Sequence, residues 1–154
     1  MSISSEITRA APEDIPELCL LLDQLFTQEA EFEPDHLAQV RGLDIIINNQ
    51  DVGDILVARH SGKVVAMVNI LYTVSTALGG RVGILEDMVV LASYRESGVG
   101  SKLLCYAIEF ARNNGCKRIS LLTDSDNDGA QRFYQRHGFS RSSMVLFRML
   151  LDTD

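Results

Sequence analysis

The chain has 154 residues, 46% apolar and 23% charged, with a formal net charge of −7. That length and balance fit one soluble domain over 1–154 with a single sizeable core. The negative sign speaks against the basic stripe on which general nucleic-acid binding depends.

Three cysteines, Cys19, Cys105 and Cys116, show no CxxC spacing. His36, His60 and His137 form no HExxH or Cys/His cluster. Reduced thiols and no metal site are therefore expected. The start "MSISSEITRAAPED" lacks a basic segment followed by an apolar one. No apolar run approaches the roughly 20 residues of a membrane helix. The expected location is the cytoplasm, without membrane or nucleic-acid partners.

In chain order, "EITRAA" reads as a short strand. "APEDIPELCLLLDQLF" places Pro12 and two acids where a helix starts, then Ile15, Leu18, Cys19, Leu22 and Leu25 on one face. "EAEFEPDHL" is an acidic loop, and a second helix is expected from about Pro34 to Asn49 with Leu37, Val40 and Ile47 inward. "DILVARHSGKVVAMVNILYTV" reads as two strands around a turn at Ser61-Gly62, and "RVGILEDMVVLA" as a third. Val99, Leu103, Leu104, Ala107, Ile108 and Ala111 repeat with helical period, and Gly115 stops that helix. "KRISLLT" is a strand, "NDGAQRFYQRH" a helix capped by Asn127 and ended by Gly138, and "SSMVLFRMLL" a last strand. A short extra strand around Phe139–Arg141 is a further expectation. The order β-α-α-β-β-β-α-β-α-β predicts an α/β (α+β) fold, a mixed sheet whose later strands cross over through helices.

Two segments carry chemistry. "SYRESGVGSKLL" (93–104) sets Gly98 and Gly100 before a long amphipathic helix. It is not a P-loop, because Ser101 rather than Lys follows Gly100, and not a dinucleotide fingerprint, because Leu103 stands where the third glycine belongs. First-turn N–H groups and the helix dipole favour an anion there, and Arg95 adds a charged fork. A plain tight turn explains the glycines equally well. In "NDGAQRFYQRHGF" (127–139), Ala130, Phe133, Tyr134 and His137 share a helical face. That face fits either a core anchor or a ligand contact.

Taken as an ordered pair, the segments resemble the GNAT superfamily of N-acetyltransferases. The family's pyrophosphate loop [Q/R]-x-x-G-x-[G/A] is matched by Arg95, Gly98 and Gly100. Its later N-x-x-A-x-x-F-Y-x-x-x-G-F is matched by Asn127, Ala130, Phe133, Tyr134, Gly138 and Phe139. "ITRAAPEDIPEL" resembles the family's first strand and helix, so the resemblance spans nearly the whole chain. Glu96-Ser97 departs from the Gly or basic residue that many members carry after the Arg.

The resemblance implies a mostly antiparallel central sheet flanked by helices, with a splayed parallel strand pair, "LEDMVV" and "RISLLT", holding acetyl-coenzyme A. Backbone groups of Met88, Val89 and Val90 would bond the pantetheine arm. Those of Arg95, Glu96, Ser97, Gly98, Val99 and Gly100 would take the pyrophosphate, and Asn127 would touch the pantetheine. Tyr134 would protonate the departing thiolate and a backbone N–H near Val90 would polarise the carbonyl. The acceptor would be a primary amine of a small molecule or a protein, and a homodimer is a family habit.

Strict alternation along "VGILEDMVV" sets Val82, Ile84, Glu86 and Met88 on one face and Leu85, Asp87 and Val89 on the other. Carboxylates inside an apolar strand are unusual. Glu86 is the favoured general base, with Asp87 or water as alternatives, and a solvated edge is the plain reading. "LEDMVVLASYR" also looks like polyamine N-acetyltransferases. Glu29, Glu31, Glu33 and Asp35 could join Glu86 and Asp87 in an acidic mouth for a cationic amine, or be merely solvated. The competing functions are a catalytically idle coenzyme A sensor or assembly module, against which Tyr134 speaks, and an unrelated nucleotide-binding domain, which the two failed motifs disfavour.

Overall fold

Alternating apolar residues in the middle of the chain build a five-stranded sheet in the order β1-β2-β3-β4-β5. The computed structural model describes residues 3–28 and 33–152. The strands are β1 (Glu6–Arg9), β2 (Gly53–His60), β3 (Lys63–Ser75), β4 (Gly80–Val90) and β5 (Ile119–Leu121). Helices α1 (Ile15–Gln28) and α2 (His36–Ile47) precede β2, α3 (Val99–Asn113) joins β4 to β5, and α4 (Asp128–Arg136) follows β5. The first four strands pair antiparallel, and only β4 and β5 run parallel. The β2–β3 hairpin turns through Ser61 (φ 50°) and Gly62 (φ 78°). Two left-handed residues are what a tight hairpin turn requires.

Both faces of β2 and β3 are covered, so their sequences read as nearly continuous apolar runs. On one face Leu56, Ala58, Val65 and Val68 pack with Leu103, Leu104, Ala107 and Ala111 of α3. On the other, Ile55, Val57 and Met67 pack with Leu18, Leu21 and Leu22 of α1 and Leu43 of α2. A part-buried ion pair fastens the start of α1 to β2: Arg59 Nη1 and Nη2 donate to the Asp14 carboxylate at 2.9 and 2.6 Å. The Asp14 carboxylate also accepts the Ala11 N–H at 2.8 Å. The Arg59 guanidinium holds the Asp14 carboxyl below the ordinary carboxylate range, against the opposing effect of burial.

Three expectations need correction. Residues 142–151 form no strand, and none forms at Phe139–Arg141, so the last β of the expected order is absent among the described residues. A strand needs a hydrogen-bonded neighbour, which apolar content alone does not supply. Leu37 is 69% exposed, because the inner stripe of α2 runs through Gln39, Val40, Leu43 and Ile47 instead. Among the described residues no helix is long and apolar enough to cross a membrane.

Candidate active site

The site begins with an irregularity in β4. Met67 pairs with Val89 and Asn69 with Glu86, so β4 carries one extra residue there. Asp87 absorbs it with φ 55°, a left-handed conformation rare outside glycine. The bulge breaks strict alternation. Leu85, Met88 and Val90 all pack on the α3 side, whereas Val89 packs on the α1 side.

The same bulge brings Asp87 into a cavity of about 310 Å³ between α1, α2 and the sheet. Its floor is apolar, with Leu22, Phe26, Leu43 and Ile46. Asn69 and Asp87 supply polarity from the strands, and Glu33 and Asp35 from the entry to α2. Asn69 is 2% exposed. Its Nδ2 donates to Asp87 Oδ2 at 2.6 Å, while its Oδ1 is buried without a partner. An unpaired buried carbonyl oxygen costs free energy unless something donates to it. Glu86 is exposed and does not line the cavity. Glu29 and Glu31 lie outside the described residues.

Asn69 escapes the sequence reading, although a lone amide in the apolar run "VVAMVNIL" is a signal of the same kind as Glu86 and Asp87. Gln24 escapes it too. From α1 its Nε2 donates to the Val90 carbonyl at 2.9 Å and its Oε1 accepts the Ala92 N–H at 3.2 Å. That clasp fixes where β4 ends.

On its far edge β4 pairs with β5 only from Gly83 to Leu85, opposite Ile119 to Leu121. From Glu86 to Val90 that edge has no strand partner among the described residues. The end of β4 therefore has a bare edge among the described residues, and the glycine loop follows that end in the chain. Glu96 (φ 64°) and Gly98 (φ 86°) are both left-handed, and Ser97 lies between them. Alternating backbone of this kind turns successive N–H groups toward one point. The Arg95 N–H is already engaged by the Ala92 carbonyl at 3.3 Å, so the nest starts at Glu96. The Val99 N–H leans on Ser97 Oγ at 3.4 Å. Gly98, the N-cap of α3, has no capping side chain.

At Gly100 a Cβ would make only ordinary contacts, with Val90 Cγ2 at 3.4 Å and Phe133 Cζ at 3.8 Å, so a small side chain fits there but a branched one presses on both neighbours. At the start of α4, Asn127 Oδ1 accepts the Ala130 N–H at 3.0 Å. Asn127 is thus a cap as well as a candidate contact. Tyr134 is half-buried and packs edge-on to Phe133 and Phe139 at 5.3 and 5.8 Å between ring centroids. Burial pushes its phenol up to about 12. Among the described residues no group of His, Cys, Asp and Glu is arranged to hold a metal ion.

The profile of the Acetyltransferase (GNAT) family matches residues 16–139. The chain is 28% identical over 137 residues to the aminoalkylphosphonate N-acetyltransferase of Salmonella typhimurium, covering 89% of this chain and 86% of that one. It is 28% identical over 124 residues to the uncharacterised N-acetyltransferase YhfO of Bacillus subtilis, covering 77% and 81%. A crystal structure of a transcriptional regulator from Bacillus halodurans matches with a TM-score of 0.81 at 25% identity, over 96% of this chain and 100% of that one. The aminoglycoside N-acetyltransferase AAC(6')-Iy in complex with CoA has the same TM-score of 0.81 at 20% identity, over 97% of both chains, which is a similarity of fold. The matched stretch takes in the bulged strand, the glycine loop and the helix of Tyr134, and the chain belongs to the GNAT acetyltransferase family.

Proposed function

We propose that this protein transfers an acetyl group from acetyl-coenzyme A to the primary amine of a small cationic acceptor with an apolar body. The observation that carries the acceptor is the bulge at Asp87. It presents a carboxylate and a partnerless amide oxygen to an apolar-floored cavity beside the open edge of β4. A carboxylate beside an amide oxygen that lacks a donor fits an ammonium better than an anion or a neutral alcohol. Glu33 and Asp35 add negative charge at the same cavity. A small-molecule acceptor suits the cavity's size, and a protein amine is the alternative substrate.

The residues present fit the donor. The left-handed pair at Glu96 and Gly98, with the uncapped start of α3, supports pyrophosphate binding. The unpaired edge of Met88, Val89 and Val90 supports binding of an extended amide chain, to which the Asn127 amide can add a donor. When bound, acetyl-coenzyme A supplies an activated thioester.

An ammonium has no lone pair, so a proton must leave it before attack. The Asp87 carboxylate is the group proposed to receive it, directly or through a water, and exposed Glu86 is the competing candidate. As the carbon–sulfur bond breaks, the Tyr134 hydroxyl gives its proton to the sulfur. A phenol that stays neutral to about 12 holds that proton across the working range. The enzyme is read as cytoplasmic and homodimeric.

The test is release of free thiol from acetyl-coenzyme A over a panel of polyamines, aminoglycosides, amino acids, aminoalkylphosphonates and N-terminal peptides. Cationic amines are expected to lead. Preference for anionic or neutral amines refutes the acceptor assignment. Tight binding of acetyl-coenzyme A with no release on any amine points to a binding module instead.

A further inference from the structure

Helix α1 meets the sheet along two stripes. Leu22 and Phe26 line the cavity that holds Asn69 and Asp87. Glu17, Leu21 and Gln24 stand at i, i+4 and i+7 and share a neighbouring face. On that face Leu21 is buried, and the two polar residues reach strand ends. Glu17 Oε2 accepts the Val64 N–H at 2.9 Å near the start of β3, and Gln24 bonds to the end of β4.

The half-buried Gln24 makes two bonds there: Nε2 to the Val90 carbonyl at 2.9 Å, and Oε1 from the Ala92 N–H at 3.2 Å. Val90 is the last residue of β4, and Ala92 opens a single 3-10 turn over Ala92–Tyr94. The first N–H groups of a helical turn have no partner within it, so Ala92 needs one from outside. Between the two, the Leu91 N–H is bonded to the Val65 carbonyl at 2.9 Å. Three consecutive residues are thus held from α1 and from β3. A primary amide offers a donor and an acceptor together. An ionised carboxylate has no proton for Val90, and an ammonium has no lone pair for Ala92.

Those three residues lie at the joint between the two parts of the proposed cofactor site. On one side is the edge of Met88, Val89 and Val90, which has no strand partner among the described residues. On the other, beyond Arg95, is the left-handed pair at Glu96 and Gly98. A ligand held at both ends gains from the second end only when the spacing of the two subsites matches its own. We infer that Gln24 is a positioning residue that sets this spacing, so that the strand edge and the glycine loop grip one acetyl-coenzyme A together. The inference rests on the acetyl-coenzyme A reading proposed above. Gln24 acts through the backbone of Val90 and Ala92 and not on the reacting atoms. It also ties the joint to the helix that walls the acceptor cavity.

The experiment uses the whole chain and two variants. Gln24→Met keeps the length and the apolar contact and loses both bonds. Gln24→Glu keeps an acceptor for Ala92 and, when ionised, has no donor for Val90. Calorimetry is expected to show acetyl-coenzyme A bound roughly 10-fold more weakly by both variants, the scale of one or two hydrogen bonds. ADP carries the pyrophosphate without the pantetheine arm. Its affinity, followed by amide chemical shifts of the glycine loop, should stay within about threefold of wild type, because one subsite alone does not depend on spacing. The Michaelis constant of the amine at saturating acetyl-coenzyme A should also stay within about threefold, whereas a merely loosened α1 would raise it. In the ligand-free protein the Ala92 N–H should exchange faster in Gln24→Met. Equal losses for ADP and acetyl-coenzyme A mean local damage to the loop and overturn the inference. Unchanged acetyl-coenzyme A affinity in both variants overturns it too. A wild type that itself binds no acetyl-coenzyme A is a different result, which removes the functional reading and the inference with it.

Discussion

Tyr134→Phe removes one oxygen and keeps the ring. The contacts with Phe133 and Phe139 at 5.3 and 5.8 Å are ring contacts and survive. No hydrogen bond to the hydroxyl is seen among the described residues, and its upward pKa shift has burial as its cause. Losing a half-buried hydroxyl without a partner changes stability by about 0.5 kcal/mol or less in either direction. If that hydroxyl protonates the leaving thiolate, turnover falls roughly 10²–10⁴-fold. That corresponds to about 3–5 kcal/mol at the barrier. The affinity for acetyl-coenzyme A should hardly move, because the lost interaction develops in the transition state.

The pH dependence adds a second signature. The neutral phenol is favoured in the folded state, so its contribution to stability is complete below the unfolded value near about 10. It is lost as pH rises from there through the folded value of about 12. The loss amounts to about 2–3 kcal/mol at most. Stability of the Phe variant should therefore fall less than wild type over that window. The wild-type rate should show no falling limb from Tyr134 below pH about 11. The measurements are turnover on one confirmed acceptor, denaturant midpoint and calorimetric affinity, all on both proteins. Turnover within about threefold of wild type, or a fall in turnover matched by a fall in midpoint, refutes the acid role.

Gly98→Val places a branched side chain at φ 86° and should cost about 1–2 kcal/mol of stability while weakening acetyl-coenzyme A binding in calorimetry; unchanged binding dismisses the nest. Gly100→Val presses on Val90 and Phe133, and is expected to lose about 1–3 kcal/mol together with activity, whereas Gly100→Ala should be tolerated. Asp14→Ala leaves the part-buried Arg59 with Thr8 as a partner and should cost about 1–3 kcal/mol at neutral pH. Because the Asp14 pKa is depressed in the fold, its contribution is complete above about 4 and fades as pH falls, so variant and wild type should converge in acid urea titrations. Added salt should raise the Michaelis constant of a cationic acceptor.

Local signals carried most of the architecture. The stripe Val99, Leu103, Leu104, Ala107 and Ala111 is buried as its spacing requires. Gly115 takes the left-handed φ of 85° that ends a helix. What stayed hidden depends on partners distant in sequence. The bulge at Asp87 arises from the register of β4 against β3, which neither strand states alone. For that reason alternation named Glu86, whereas the cavity received Asp87 and Asn69. The last segment misleads for the same reason: "SSMVLFRMLL" has strand composition, but a strand exists only where an edge accepts it.

Asp87 offers the sharpest separation of chemistry from packing. Its left-handed backbone costs about 1 kcal/mol or more and persists only because the surroundings hold it. Asn tolerates that conformation, and an Asn at this position can still accept from Asn69 Nδ2, so Asp87→Asn should leave stability within about 1 kcal/mol of wild type. Only the charge disappears. A hydrogen bond to a charged group contributes about 1.5–3 kcal/mol, so the Michaelis constant of a cationic acceptor should rise roughly 10- to 100-fold. If Asp87 also accepts the proton, turnover should fall as well, and fall less on an amine of low pKa that arrives already neutral. Glu86→Gln, on an exposed side chain next to Asp87 in sequence but outside the cavity's lining, should change either constant by less than about threefold. The reverse result, a large loss in Glu86→Gln and none in Asp87→Asn, would return the base to Glu86 and leave the bulge a purely structural feature.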